Sequence, residues 1–225
     1  MKGLLFSQMQ PPPTWEDDFR DWYESEHIPA RMALPGFASA VRYRAVEGSP
    51  DYLACYFIDD LDVLSTLAYQ QLKSAPSERT ARMLGAVTGF TRYSCAEISD
   101  TGDVGREPGL VMVVAFAVPE SDAADFDDWY QHEHVPLLMQ ADGWLRVRRY
   151  RTLPGSEGPP WTHLALHELW DATALDAPER SRARTTPWRD RLAARPWFGG
   201  SGRWLYRPIH SAVATAPAVP AVPAP

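Results

Sequence analysis

The segment Phe19-Arg20-Asp21-Trp22-Tyr23-Glu24-Ser25-Glu26-His27-Ile28-Pro29 recurs 107 positions later as Phe126-Asp127-Asp128-Trp129-Tyr130-Gln131-His132-Glu133-His134-Val135-Pro136, with seven of the eleven positions identical. At the same offset Gly36 matches Gly143 and Arg42-Tyr43-Arg44 matches Arg149-Tyr150-Arg151. After a four-residue shift Pro76 matches Pro187, Gly89 matches Gly200 and Arg92 matches Arg203. Self-similarity over such a span reads as one unit of about a hundred residues present twice.

Within each unit the apolar patterning predicts strand, helix, strand, strand, helix, strand. The strands fall at about Leu4–Met9, Ala38–Val46, Tyr52–Ile58 and Phe90–Ile98, then at Leu110–Val118, Leu145–Leu153, Thr162–Leu169 and Gly202–Ile209. That order is the split β-α-β, ferredoxin-like arrangement. Its sheet carries helices on one face only, so the second sheet is the natural cover for the other. The expected fold is therefore α+β: a tandem duplication of a βαββαβ unit whose two antiparallel sheets pack face to face as a pseudo-dimeric barrel. The units are placed at 1–99 and 108–210, with a connector at 100–107 and an Ala, Val and Pro tail at 211–225 outside the fold. Pro29 and Pro136 predict that each repeated helix ends or kinks just past its histidine.

Composition removes several classes of function. A net charge of -7, with no run of Lys or Arg interleaved with aromatics, gives nothing to gather a phosphate backbone, and nucleic acid is not an expected partner. No apolar stretch approaches a membrane span or a signal-peptide core, which reads as a cytoplasmic chain without a membrane partner. Cys55 and Cys95 share no metal-ligand spacing, so no metal site is expected, and they read as buried reduced thiols with a disulfide as the alternative. No phosphate-binding glycine loop or dinucleotide fingerprint is present, and a nucleotide cofactor has no home.

Chemistry concentrates on the repeated helix. At 100° per residue Phe19, Trp22, Tyr23 and Glu26 share an arc with His27 at its edge, and Trp129, Tyr130, Glu133 and His134 repeat it. A carboxylate on an apolar face needs a partner. Arg42, Arg44, Arg149 and Arg151 on the second strands are the candidates, making each pair either a structural clamp or a tuned site. A histidine at a helix C-terminus beside a tyrosine four residues earlier is expected to favour its protonated form and to exchange protons near neutral pH, unless it only caps the helix. His132 falls on the solvent side. On the third strand of the second unit His163 and His167 share a face, at positions held in the first unit by Tyr52 and Tyr56. At about 13 Å apart they cannot share a metal. They are expected either to line a pocket enclosed by the two sheets or to be satisfied by neighbours. Trp22, Trp129, Arg42, Arg149, Tyr56, His163 and His167 are the candidate substrate contacts.

With the Trp-Tyr-x-x-Glu-His-x-Pro helix, the Gly36 or Gly143 turn and the Arg-Tyr-Arg strand, each half resembles the EthD-like members of the dimeric α+β barrel superfamily. The resemblance implies ferredoxin-like units paired into a barrel, with a cavity in each half roofed by the helix of His27 or His134. It also implies relatives that include cofactor-free isomerases, cyclases, decarboxylases and monooxygenases, and haem enzymes. The leading expectation is a cofactor-independent lyase, isomerase or cyclase acting on a small apolar or aromatic metabolite. His27 or His134 is its acid or base, Tyr23 or Tyr130 orients the ring, and Glu26 or Glu133 anchors the site. A non-catalytic module holding a small hydrophobic ligand and a haem protein ligated through His163, His167 or a helix-end histidine are the rivals. The fused chain is expected as a monomer with an internal pseudo-dimer, or as a homodimer of fused chains paired through exposed sheet edges.

Overall fold

Eight strands of seven residues or more form in the computed structural model, which describes residues 1–102 and 105–214. They are β1 (Gly3–Gln10), β2 (Phe37–Ala45), β3 (Tyr52–Ile58), β4 (Thr88–Gly102), β5 (Leu110–Phe116), β6 (Trp144–Thr152), β7 (His163–Leu169) and β8 (Gly202–Val213). Between β1 and β2 stand α1 (Glu16–Trp22) and α2 (Ile28–Met32), and between β3 and β4 stand α3 (Leu67–Ser74) and α4 (Glu78–Ala86). In the second half α5 (Glu120–Trp129) and α6 (Val135–Leu138) follow β5, and α7 (Pro178–Ala183) and α8 (Pro187–Ala193) follow β7.

The strands close into one antiparallel barrel in the order β1-β3-β2-β8-β5-β7-β6-β4. Its first four strands lie as β4-β1-β3-β2 and its last four as β8-β5-β7-β6, the same order twice. The expected free sheet edges are absent from this barrel, because β2 pairs with β8 and β4 pairs with β6 along their lengths. Edge-to-edge pairing between chains therefore has no open strand to use. The two closing strands are longer than the apolar pattern suggested. Ser99–Gly102 pair with Arg149–Arg146, and Ser211–Val213 pair with Val41–Ser39, so these residues belong to the barrel rather than to a connector or a tail. Of the proposed connector and tail, 103–104 and 215–225 lie outside the described residues.

Alternation along each strand divides the side chains between two layers. Phe6, Leu53, Cys55, Tyr93, Tyr150 and Tyr206 point inward and fill the barrel as one buried cluster. The opposite faces carry two further cores, one under α1 to α4 and one under α5 to α8. Cys55 and Cys95 are free thiols buried in the inner cluster. No helix among the described residues is long and apolar enough to cross a membrane.

Gly102 ends the β4–β6 closure with φ +120°, and a Cβ there would sit 2.3 Å from the Leu145 carbonyl oxygen and 2.7 Å from Arg146 Cα. Gly102→Ala is expected to lower the unfolding free energy by about 1–3 kcal/mol. An unchanged midpoint in urea would count against closure through this strand end.

Candidate functional site

The repeated helix does not end at its histidine. Between α1 and α2 the chain makes a π-helical turn over Tyr23–His27, closed by the Ile28 N–H on the Tyr23 carbonyl, and Tyr130–His134 makes the same turn, closed by the Val135 N–H on Tyr130. The cause is the proline one residue on. It has no N–H to offer, and its ring would strike the carbonyl four positions back in a regular α-helix, which the wider turn relieves. The extra residue rotates everything after it. His27 is folded inward, 4.4 Å from the Trp22 ring and 4.7 Å from the Tyr23 ring, while Glu26 and Glu133 swing off the sheet.

That rotation overturns the expected glutamate–arginine pairing. Glu26 accepts hydrogen bonds from Thr80 Oγ1 at 2.9 Å and from Ser77, and Glu133 accepts from Trp129 Nε1 at 3.1 Å and from Thr186. Ser77 and Thr186 are the N-caps of α4 and α8, so both glutamates tie helix to helix. The strand arginines find other partners. Arg42, 1% exposed, pairs with Glu24 at 2.8 Å, and Arg44 pairs with Glu16 at 2.7 Å. Arg149 pairs with Asp127, which also takes Arg151 at 2.7 Å and lies 3.6 Å from His163 Nε2. The guanidinium groups of Arg42 and Arg149 stand 4.5 Å and 4.7 Å from the ring centres of Tyr23 and Tyr130. Arg42 and Arg149 are thus helix-to-sheet clamps.

A cavity of ≈40 Å³ opens in the second half between the helices and the outer face of β5, β7 and β8. His134, Tyr130, His167, Trp129 and Trp144 line it, with Arg203 at its edge. His134 stacks on Trp129 at 4.7 Å, and its Nδ1 lies 3.1 Å from the Ala183 carbonyl. A carbonyl only accepts, so Nδ1 carries the proton and Nε2 keeps a lone pair for a ligand. Burial, with Arg203 and Arg189 adding to it and the Ala183 bond opposing it, pushes the His134 pKa down to about 4. The protonated helix-end histidine expected from sequence is therefore corrected to a neutral one. The helix runs on past it, and desolvation opposes its charge.

Tyr130 does not orient His134; its hydroxyl lies 2.7 Å from His167 Nε2, while Trp144 Nε1–H donates to His167 Nδ1 at 3.2 Å. Burial holds His167 neutral, well below the ordinary imidazole range. With Nδ1 accepting, its proton sits on Nε2 and is donated to the tyrosine oxygen. The Tyr130 O–H is thereby left to donate elsewhere. Burial, partly offset by Arg149 and Arg203, raises the Tyr130 pKa, so the phenol stays protonated.

His163 and His167 both face the helices, not the space enclosed by the sheets, which the inner cluster occupies. Four residues of strand separate their roles. His163 Nδ1 contacts the Thr162 hydroxyl at 2.9 Å and its ring lies 5.1 Å from Phe126, away from the His134 cavity. His132 is exposed, as its place on the wheel requires.

In the first half His27 lines a separate cleft of ≈140 Å³ with Glu26, Arg31, Lys73, Ser77 and Thr80. Arg31 replaces Leu138 of the second half. Its guanidinium lies 5.4 Å from the Tyr56 ring centre and donates to the His27 carbonyl at 3.0 Å. Burial and then Arg31 push His27 well below its ordinary pKa. Trp22 is fully buried and donates to Thr80 at 3.0 Å, so it serves packing. Tyr56 stands where His167 does, and no relay of the Tyr130–His167–Trp144 kind forms. A wider cleft of ≈300 Å³ at the barrel end holds Arg146 and Arg148, which are engaged by Asp100 and Glu168.

Residues that sequence reasoning passed over are Trp144, Arg180, Arg184 and Arg189, and Arg203 entered only as a repeat match. Their signal is a density of arginine from 180 to 195 without counterpart between β3 and β4. A haem does not fit the second-half site: both ring nitrogens of His167 are engaged, and the ≈40 Å³ cavity beside His134 is far smaller than a macrocycle.

The sequence matches no family model and no curated protein. Solved structures do resemble the chain. An anthrone oxidase-like protein superposes with TM-score 0.69 at 14% identity, covering 98% of this chain and 96% of its own. A putative monooxygenase from Lactobacillus acidophilus NCFM gives 0.63 at 9% identity, over 95% and 96%. A chlorite dismutase variant from Candidatus Nitrospira defluvii gives 0.62 at 13% identity, over 93% and 92%. These structures belong to the dimeric α+β barrel superfamily, and at such identities what this chain shares with them is the fold.

Two acid-induced losses of stability follow. His27, His134 and His167 are neutral in the fold at pH values where the unfolded chain takes up protons. Stability is therefore fully present above about pH 6.5 and falls as pH drops from there toward 4. At Asp127 burial opposes the charge, but His163, Arg149 and Arg151 outweigh it and hold the pKa at about 2. Its contribution is thus present above about pH 3.8 and lost as pH falls toward 2. Urea unfolding at pH 7, 5 and 4 should show the first loss, and His134→Gln should flatten it. Asp127→Asn, which strands the buried Arg149, is expected to cost about 3 kcal/mol at pH 7.

Proposed function

We propose that the second half holds the active site of a cofactor-independent enzyme that moves a proton on a small, mostly aromatic metabolite. The observation that carries it is the contact of His134 Nδ1 with the Ala183 carbonyl, which assigns the proton to Nδ1 and leaves the Nε2 lone pair to a cavity that Tyr130 also lines. In the proposed step His134 Nε2 takes a proton from a substrate C–H next to a carbonyl. The C–H electron pair becomes a C=C bond as the carbonyl π pair moves onto oxygen, and the resulting enolate oxygen accepts a hydrogen bond from Tyr130 O–H. On a ketone whose enolate is conjugated with a further double bond, the imidazolium returns the proton to the far carbon of the dienolate, giving an isomerase outcome. His167 is a positioning residue, since its Nε2–H holds the tyrosine oxygen and Trp144 holds the ring. Aromatic walls around a narrow cavity keep bulk water from competing for these groups.

The repeat in sequence and in strand order supports reading the chain as two fused ferredoxin-like units of the EthD-like kind, of which the second kept the chemistry. Arg31 and Tyr56 occupy the corresponding ground in the first. The likeness to an anthrone oxidase-like protein and to a putative monooxygenase favours one further reading, in which the enolate is consumed by dioxygen.

Aromatic and polyketide-like ketones are the compounds to screen by thermal shift and product analysis. His134→Gln is expected to lower kcat by at least about a hundredfold while binding persists, and His27→Gln to leave it within a few-fold. Because the base form survives down to about pH 4, the acidic limb of kcat/KM should lie near pH 4 rather than 6.5. Oxygen uptake that tracks product would select the monooxygenase reading. Hits that bind without turnover in the parent protein would make this a ligand-holding module.

A further inference from the structure

At the mouth of the His134 cavity stand Arg180 on α7, Arg184 just beyond it, Arg189 on α8 and Arg203 on β8. Several arginines elsewhere near the folded core are neutralised, although Arg31 is not: Arg79 pairs with Asp21, Arg146 with Asp100, Arg148 with Glu168, and Arg149 with Asp127. Of the four at the mouth, only Arg189 meets a carboxylate. Arg180 donates to the Leu175 carbonyl at 2.6 Å, and Arg189 reaches only its neighbour Asp190, 65% exposed, at 3.4 Å. Among the described residues no carboxylate forms an ion pair with Arg184 or Arg203. The repeat counterpart of Arg203 makes the contrast plain, since Arg92 pairs with Glu157.

Four like charges gathered with only the exposed Asp190 in an ion pair and Asp176 nearby, in a chain of net charge -7, are held against their own repulsion. Burial and then Arg184 lower the pKa of both Arg180 and Arg203. The structure thus carries an unmet demand for negative charge beside the proposed base.

Resting on the reading of this cavity as a substrate site, the geometry points to a conjugated organic oxyanion, an aryl carboxylate or phenolate, as its substrate class. The enclosed ≈40 Å³ takes only a reacting edge of a few atoms, roughly the space of three waters. The ring then lies in the mouth, where guanidinium planes stack on it and pair with its oxygens. Trp129 and Phe198 supply the apolar wall. Inorganic phosphate offers charge but no ring, and a neutral aromatic offers a ring but no charge. The site prefers a ligand with both.

The test is isothermal titration of the full chain at pH 7 and low salt with benzoate, benzyl alcohol and inorganic phosphate. Benzoate should bind at least about tenfold more tightly than either of the others, and more weakly as salt rises. Arg203→Gln should lose about tenfold in benzoate affinity, and Arg203→Lys should recover most of it. Arg191→Gln, which removes a charge paired with Asp125 outside the cavity, should bind as the parent does. Benzyl alcohol or phosphate binding as tightly as benzoate, an equal loss in Arg191→Gln, or no benzoate binding at millimolar concentration would each overturn the proposal. Turnover is not read in this experiment. A failure of proton transfer leaves a positive result standing, and a negative result leaves proton transfer on a neutral substrate untouched.

Discussion

Closure of the barrel decides where function can sit. Once β2 meets β8 and β4 meets β6, the inward side chains of all eight strands face one another, and Phe6, Tyr43, Tyr93, Tyr150 and Tyr206 fill the interior. The middle of the barrel is packed, and the arginines in the ≈300 Å³ cleft at its end are already paired with Asp100 and Glu168. The chemistry is displaced to the outer face of the sheet, where each half lays its repeated helix over the strands, and the usable space becomes the seam between helix and sheet. The candidate histidines His27, His134, His163 and His167 lie in that seam, and His132 is exposed.

Within the seam one proline sets the geometry. Pro29 and Pro136 force the π turn that tucks His27 and His134 against Trp22 and Trp129 and turns the glutamates toward the caps of α4 and α8. The same backbone then produces two different environments through a few side chains. Leu138, His167 and Trp144 give the second half a cavity with a bare imidazole nitrogen and a phenol proton. Arg31 and Tyr56 give the first half a cation beside its histidine and no relay.

The repeat, the strand order and the seam helix were legible in the sequence because they depend on local patterning: alternation on the strands, the aromatic arc, and the matching Gly36 and Gly143. A barrel was expected too, but the reach of the strands that close it was not legible, since the apolar pattern fades before Gly102 and Val213 although the backbone continues to pair. The candidate site was half visible. His134, Tyr130, Trp129 and His167 could be named, but a wheel drawn at 100° per residue has no π turn in it. The glutamates were therefore aimed at the wrong arginines, and the protonation of the histidines followed a helix end that does not exist. Arg180 and Arg184 from α7 and its end, Arg189 from α8 and Arg203 from β8 reach the cavity from three segments, a convergence only the tertiary fold creates.

The central claim is that the second half holds a neutral histidine with its lone pair on Nε2 beside a tyrosine whose oxygen is already taken. Nitrogen-15 NMR of the imidazole rings in the full chain reads this directly. The account predicts His134 protonated on Nδ1 and His167 protonated on Nε2, with both rings still neutral at pH 5. A His134 carrying its proton on Nε2, or titrating near 6.5, would contradict it.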